Sequence, residues 1–218
     1  MNTKKLTVAG LLLLVCAAFF FGMRAYQGSA RTSQENAANQ HAERLVRTHS
    51  PVLGPPDAAV TLVEFFDPAC ETCRAFYPIV KGLMTQYPKD LKLVIRYAPF
   101  HQGSDQVVKL LEAAKQQGKY WPVLEGVLAA QPQWADHGNP NLELAYKAAE
   151  LAGLDVQKAL QDAASASIDA VLQQDVQDLK ALGVNKTPTF FVNGRPLPSF
   201  GAEQLAALVA QEVAAAKK

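Results

Sequence analysis

The chain has 218 residues, of which 49% are hydrophobic and 19% charged, and its formal net charge is +1. This composition is typical of a globular protein with enough apolar residues for one sizeable core or two small ones. The sequence has no basic run and no aromatic residues interleaved with basic ones, so nucleic acid is excluded as an expected partner.

The N-terminus carries a targeting segment. Lys4 and Lys5 precede an apolar run over residues 6–23, about 18 residues, which is close to the length that crosses a bilayer. No clear small-x-small cleavage site follows directly, so an uncleaved anchor is slightly favoured over a removed signal peptide. Positive charge ahead of the run directs the rest of the chain outward. Residues 1–26 are therefore predicted to be a signal peptide or membrane anchor.

A polar segment follows the apolar run. Residues 27–50 show no helical or strand period and are predicted to form a linker between membrane and domain. His41 and His49 lie in this segment, and we expect both to be exposed linker histidines.

The first predicted strand leads into the only closely spaced cysteines of the chain. Val60–Phe66 is apolar and β-rich, Asp67-Pro68 ends it, and a helical pattern follows. Cys70 lies at the start of that helix and Cys73 one turn along. Unpaired backbone N–H groups and the positive end of the helix dipole favour a thiolate at Cys70, which makes a cysteine reactive. The pattern predicts a dithiol–disulfide redox centre.

Other interpretations of the cysteine pair are weaker. A structural disulfide over so short a loop adds little stability. A zinc site needs a second pair of ligands at suitable spacing, and the four histidines are scattered along the chain. We therefore favour redox activity over an inert bridge or metal binding.

Two ionisable residues are candidates to assist the cysteines. Glu64 is the one charged residue of the first strand, and burial would raise its pKa and let it exchange protons with Cys73. A second strand, Leu91–Tyr97, completes a βαβ unit, so the carboxyl ends of both strands meet at one sheet edge. His101 should then lie near Cys70, where an imidazolium could stabilise the thiolate. The alternatives are a solvent-facing carboxylate and a capping or exposed histidine.

The rest of the chain is helical and then turns back into the sheet. Residues 104–182 have helical periodicity, interrupted by a predicted loop that includes Gln131-Pro132. Thr189–Val192 is a predicted strand, and Asn193-Gly194 a tight hairpin turn. A cis bond at Thr187-Pro188 would leave the Thr187 backbone free to pair with an extended peptide.

These motifs together resemble the thioredoxin superfamily. The resemblance is carried by Glu64-Phe65-Phe66-x-x-x-Cys70-x-x-Cys73, by Pro78 in the following helix, and by Thr187-Pro188 before a strand. The helical insertion resembles the DsbA branch of exported thiol–disulfide oxidoreductases. The resemblance implies an α/β thioredoxin fold with a large all-helical insertion. Residues 51–102 and 184–218 would form the thioredoxin-like domain, and residues 103–183 the insertion.

The resemblance also implies roles at the site. Cys70 would be the exposed nucleophile, Cys73 its buried partner and Glu64 the semi-buried acid. Thr187 and Pro188 would bind the substrate beside the disulfide. The redox-active disulfide would need no added cofactor and no metal.

Three residues are possible modulators of the redox couple. Glu71 and Thr72 form the dipeptide between the cysteines, and the charge of Glu71 should disfavour the Cys70 thiolate and make the couple less oxidising. His101 is the third. Thr187 before Pro188 looks more like isomerase and reductase members of the superfamily.

The leading prediction is a periplasmic thiol–disulfide oxidoreductase acting as an oxidase. It would exchange disulfides with cysteine-containing exported proteins and with a DsbB-like or DsbD-like membrane partner, as a monomer. The alternatives are a reductase or isomerase that uses the same site, and a non-enzymatic metal-binding or holdase protein.

Overall fold

The computed structural model describes residues 3–40 and 42–217, so His41 lies outside the described residues. A single mixed sheet has the strand order β1-β3-β2-β4-β5. Its strands are β1 Val52–Leu53, β2 Val60–Phe66, β3 Leu91–Tyr97, β4 Thr189–Val192 and β5 Arg195–Pro196. The helices are α1 Thr3–Gln40, α2 Glu71–Gln86, α3 Ser104–Gln116, α4 Tyr120–Trp134, α5 Leu142–Leu151, α6 Val156–Ala163, α7 Ala166–Ala181 and α8 Ala202–Ala216.

The centre of the sheet is the predicted βαβ unit. β2 and β3 are parallel along their whole length, with Val60 opposite Leu91 and Phe66 opposite Tyr97. β4 is antiparallel to β2, and β1 closes the far edge against β3. Because β2 is paired on both sides and covered by apolar clusters on both faces, it is almost wholly buried. The predicted α/β fold with a large helical insertion is confirmed.

The turn between β4 and β5 is the predicted hairpin. Asn193 and Gly194 have φ values of 47° and 82°, the left-handed pair that a type I′ turn requires. Asn193 also joins the hairpin to β2, because its Oδ1 accepts from the Thr61 N–H at 2.9 Å. The turn therefore fixes the register of β4 against the strand that leads to Cys70.

The helical insertion runs from α3 to α7, and one predicted loop in it is wrong. Gln131 and Pro132 lie inside α4. Tertiary contacts hold the helix through the proline: Gln131 is 1% exposed, and the buried Trp134 donates its Nε1–H to the Val127 carbonyl at 2.9 Å. Asp155 caps α6 by accepting from the Lys158 N–H at 2.9 Å.

The N-terminal helix also corrects the linker prediction. α1 continues from the apolar run to Gln40, and a 3₁₀ turn follows at Ala42–Arg44. Leu11–Ser29 within α1 is long and apolar enough to cross a membrane and is wholly exposed, so it fits a signal or an anchor. The helix continues because Ala38, 1% exposed, packs with Leu45 in an apolar cluster on the sheet.

His49 is likewise not an exposed linker residue, because it belongs to a buried ion cluster. Its Nε2 lies 2.7 Å from Asp175 on α7. At the centre is Arg96 of β3, which is fully buried and contacts both Asp175 and Asp178 at 2.7 Å. Arg47 donates to both Asp178 oxygens at 2.8 Å. The cluster joins the segment after α1, the sheet and the insertion.

Asp175→Ala should strongly destabilise the fold. It removes the acceptor for Arg96, for His49 and for the Tyr97 N–H, and leaves a buried guanidinium undercompensated. The expected loss is about 3–5 kcal/mol in the free energy of unfolding, measured with urea. Asp162→Ala, which removes the more exposed ion pair with Lys158, is the control and should cost below about 1 kcal/mol. Equal losses would contradict a structural role for the cluster.

Candidate active site

The two cysteines lie where β2 passes into α2. Cys70 is the N-cap residue, with extended backbone at φ −76° and ψ 118°, and Cys73 lies in the first turn. Both thiols are free. The resemblance implies an exposed Cys70, but only 5% of this residue is accessible to solvent, against 0% of Cys73. The loop before β4 covers Cys70, with the Thr187 carbonyl oxygen 3.4 Å from its Sγ.

The same two thiols have opposite acidities. The hydrogen bond with Cys73 is the largest cause that lowers the pKa of Cys70, to about 5, and it outweighs burial, which acts in the other direction. Hydrogen bonding with the Thr187 side chain and with the backbone N–H groups of Cys73 and Thr72 adds to the lowering. Burial raises the pKa of Cys73 well above its ordinary value, as do Cys70 and the charge of Glu64. At neutral pH the pair holds one thiolate and one thiol.

Glu64 lies beneath the cysteines in the middle of β2. It is 1% exposed, and neither carboxyl oxygen has a hydrogen-bond partner among residues 3–40 and 42–217. Burial, together with the Cys70 charge, raises its pKa to about 8. The carboxyl group is therefore mostly protonated at neutral pH and able to give a proton to a neighbouring thiolate.

Asp67, which the sequence indicated only as a strand breaker, organises the loop before Cys70. It is fully buried. Oδ1 accepts from the Ala69 N–H at 2.9 Å and from the Ser104 hydroxyl. Oδ2 accepts from the N–H groups of Phe100 at 2.7 Å and His101 at 3.0 Å, and lies 2.7 Å from His101 Nδ1. One carboxylate thus joins the loops that follow both parallel strands.

The structure brings His101 to the same sheet edge as Cys70, as the βαβ unit predicts. Burial lowers the pKa of His101, but its hydrogen bond with Asp67 and the nearby negative charges outweigh this and raise it. Since Cys70 contributes to that rise, the imidazolium and the thiolate stabilise each other.

Glu71 has a partner that the sequence did not suggest. His137, in the loop after α4, lies 2.7 Å from the Glu71 carboxylate. The Glu71 backbone N–H at the start of α2 is the largest cause that lowers the pKa of this carboxyl, and His137 lowers it further. The contact with His137 thus engages the carboxylate that was expected to oppose the Cys70 thiolate. Thr72, the other residue of the dipeptide, is exposed.

Gln131 of α4 is a second unpredicted residue at the site. Its Nε2 donates to the carbonyl oxygens of Pro68 at 2.7 Å and Cys70 at 3.0 Å. Its Oε1 accepts from Arg74 Nε of α2 at 2.9 Å. The insertion thus holds the backbone on both sides of the loop that carries Cys70. No local sequence signal marks this contact, because it joins positions far apart in the chain.

Thr187 and Pro188 lie beside Cys70, and their peptide bond is cis. A cavity of about 380 Å³ opens along Pro188 and is lined further by Phe190, Leu197 and Phe200. Phe76 of α2 stacks against Phe190 and Phe200 with ring centroids 5.6 and 4.7 Å apart. An apolar surface therefore continues from the cysteine helix into the cavity. Within the described parts of the chain, no three His, Cys, Asp or Glu side chains form a metal-binding group.

A family profile described as Thioredoxin matches residues 47–211. The chain belongs to the thioredoxin family. A thioredoxin-like oxidoreductase from Silicibacter pomeroyi DSS-3 is 31% identical, with a TM-score of 0.67, over 79% of this chain and 98% of that one. The fold is shared with the thiol-disulfide exchange protein alpha-DsbA2 from Wolbachia pipientis, with a TM-score of 0.70 at 18% identity over 84% and 97% of the two chains. The DsbA-like resemblance and the thioredoxin fold are confirmed.

The curated relatives are much longer proteins. A Na(+)/H(+) antiporter NhaA from Herminiimonas arsenicoxydans is 36% identical over 67% of this chain, but the match spans only 22% of that protein. The present chain therefore corresponds to about a fifth of that relative. The thioredoxin family and the 31% identical thioredoxin-like oxidoreductase support oxidoreductase chemistry in general.

Glu64→Gln should make stability less dependent on pH. In the reduced wild type the folded pKa of about 8 exceeds the ordinary glutamate value of 4.5. The folded state therefore binds this proton more tightly, and the associated stability is complete below about pH 4.5 and lost as pH rises through 8. Between pH 4.5 and 8.5 the stability of the variant should rise relative to wild type by roughly 2–4 kcal/mol.

Urea unfolding at the two pH values measures this difference. Glu203→Gln, at an exposed position of α8, is the control and should show the wild-type pH dependence. A parallel pH dependence for wild type and Glu64→Gln would show that Glu64 ionises normally.

Gln131→Ala should disturb the acidity of Cys70 as well as stability. The variant lacks the amide group that donates to the carbonyl oxygens of Pro68 and Cys70. This loss should lower the free energy of unfolding by about 1–3 kcal/mol. The loop that carries Cys70 would then be held less rigidly. The pKa of the Cys70 thiol should therefore rise from about 5 toward the ordinary thiol value. Ultraviolet absorbance of the thiolate against pH measures it, with the exposed Gln133→Ala as control. An unchanged Cys70 pKa would limit Gln131 to a structural role.

Proposed function

We propose that this protein is an exported, periplasm-facing thiol–disulfide oxidoreductase that acts as an oxidase through Cys70 and Cys73. The observation that carries the proposal is the contrast between a Cys70 thiolate with a pKa of about 5 and a buried Cys73 thiol. A low nucleophile pKa stabilises the reduced form, so the disulfide form becomes a stronger oxidant. His101 supports this direction, because Asp67 and the Cys70 charge raise its pKa and so favour an imidazolium near the thiolate.

The reaction begins from the Cys70–Cys73 disulfide. A client thiolate attacks Cys70 Sγ, the sulfur that lies 3.4 Å from the carbonyl oxygen of Thr187, the residue before Pro188. A client–Cys70 bond forms as the Cys70–Cys73 bond breaks, and Cys73 leaves as a thiolate. The protonated Glu64 carboxyl then supplies a proton to Cys73, whose buried sulfur strongly favours the thiol.

The second step releases the product. A second client thiolate attacks the client sulfur of the mixed disulfide, the client disulfide forms, and Cys70 leaves as a thiolate. Its low pKa makes it a good leaving group. The client has lost two electrons and the protein has gained them, so a membrane redox partner of the DsbB-like kind must accept the electrons before the next cycle. Thr187 and Pro188 would hold the client backbone during both attacks.

Membrane attachment is part of the proposal. The apolar stretch of α1 fits an anchor, and the curated relatives of this domain are named as Na(+)/H(+) antiporters. We therefore place the site on the outward side of a membrane, where cysteine-containing exported proteins emerge.

The redox potential of the Cys70–Cys73 couple tests the direction of exchange. Equilibration in glutathione buffers should give a value near about −120 mV. A value of about −200 mV or lower would reject the oxidase and favour a reductase or isomerase.

Trapping tests the assignment of the two sulfurs. Cys73→Ser should accumulate a mixed disulfide with a peptide that carries a disulfide: the Cys70 thiolate attacks the peptide disulfide, one peptide sulfur leaves as a thiolate, and no Cys73 thiol is present to release the bound peptide. Cys70→Ser should accumulate far less. Non-reducing gel electrophoresis measures both, and equal trapping by the two variants would contradict the assignment.

A further inference from the structure

The cavity beside Pro188 has a wall that comes from the apolar N-terminal helix. Tyr26 and Gln27 of α1 line it together with Pro188, Phe190 and Phe200. Both residues belong to Leu11–Ser29, the stretch that is long and apolar enough to cross a bilayer. This cavity, called the groove below, and the end of the span are therefore neighbours in space.

The position of Tyr26 sets the depth of the groove. It lies three residues before the end of the span, which is about 4.5 Å along a helix axis. Tyrosine is enriched at the boundary between membrane and water, where its ring is apolar and its hydroxyl wet. If Leu11–Ser29 crosses the bilayer, the groove opens at the outer boundary of that bilayer.

The rest of α1 keeps the domain in this position. The helix is continuous to Gln40 and packs against β5. Its Ala38 is 1% exposed in the apolar cluster on the sheet, together with Leu45, Val63 and Phe191. Tyr26 and Ala38 are twelve residues apart, or about 18 Å along the helix. Two separated contacts with one helix restrict the tilt of the domain.

The surface around the groove suits a membrane boundary. Phe200 is 47% exposed beside the cavity, and the exposed Lys186 lies on its wall. An aromatic ring and a cation are the side chains that favour the headgroup region of an anionic bilayer. Phe200 also continues the apolar surface that begins at Phe76 of α2.

We infer that the groove faces the membrane surface and takes a cysteine-bearing segment of an integral membrane protein, presented at the outer membrane–water boundary. This inference rests on the proposed thiol–disulfide exchange at Cys70. A groove at this depth is open to chain segments that leave the bilayer and is obstructed for folded proteins that approach from solution. The partner is thus selected by the depth of its cysteine at the bilayer boundary as well as by its sequence.

Exchange rates with depth-matched substrates test the inference. The full chain is reconstituted in phospholipid vesicles and oxidised. One dithiol peptide is presented in three forms: soluble, fused directly to a transmembrane helix, and fused through a flexible spacer of about 20 residues that reaches beyond the boundary. The directly fused peptide should be oxidised at least about tenfold faster than the spaced one.

A matched variant distinguishes the effect of a fixed height above the bilayer from the effect of membrane attachment alone. A flexible Gly-Ser insertion of about 20 residues after Ser29 keeps the anchor but frees the domain from it. The variant should still oxidise the soluble peptide and show a ratio near one for the two fused peptides. A ratio near one in the wild type, or recovery of the mature protein without α1, would overturn the inference. Failure to oxidise even the soluble peptide would instead reject the proposed oxidase.

Fluorescence gives a reading that does not depend on turnover. Phe200→Trp in vesicles of brominated phospholipid should be quenched more than Leu151→Trp, at an 80% exposed position of α5. Wild type supplies the background from Trp121 and Trp134. Equal quenching at the two positions would place the groove away from the bilayer.

Discussion

The geometry of the site depends on the hydrogen bonds of one buried carboxylate, Asp67. A β-strand can place a cysteine at the edge of a sheet, but the backbone of the loop that follows the strand has no hydrogen bonds to a neighbouring strand. Asp67 supplies that hold from inside, because it accepts from Ala69 in its own loop and from Phe100 and His101 in the loop after β3. Cys70 is therefore placed by the two central strands together, and Gln131 adds a third element from the insertion.

A difference in environment gives chemically identical cysteines different roles. Cys70 sits where α2 begins and receives hydrogen bonds, so its charged form is stabilised. Cys73, one turn further, has the buried Glu64 and apolar surroundings, so its neutral form is stabilised. Glu64 is costly to bury without a hydrogen-bond partner. A fold that retains such a group at the centre of its sheet loses stability there, and the proposed function uses this carboxyl as the proton donor to Cys73.

The sequence predicted features that depend on local pattern. The strand with its break at Asp67-Pro68, the helix that starts at Cys70 and the Asn193-Gly194 turn all follow from spacing and backbone preference. For Glu64 the pattern left burial and solvent exposure both open, and the pairing of β2 on both sides in the structure decides for burial. The position of His101 followed from the parallel pairing of two strands.

The missed features depend on contacts between distant residues. The partners of Arg96 are 79 and 82 positions away in α7, and the contacts of Gln131 with the Cys70 loop span more than sixty. A charged residue in a strand and a glutamine before a proline look like surface features until the fold brings their partners together. The polar residues after 27 were interpreted as a linker for the same reason, since the small Ala38 that docks on the sheet carries no strong pattern of its own.

Because α1 is continuous, the number of its residues fixes how the domain is rotated relative to the membrane span. In a helix, one added residue turns everything beyond it by about 100° and advances it by about 1.5 Å. A single insertion between Tyr26 and Ala38 would therefore move the Pro188 cavity to another side of the helix, although no residue of the cavity had changed. Three or four added residues would nearly restore the direction and raise the cavity by about 5 Å. The number of residues in this part of α1 is thus a structural parameter of the site.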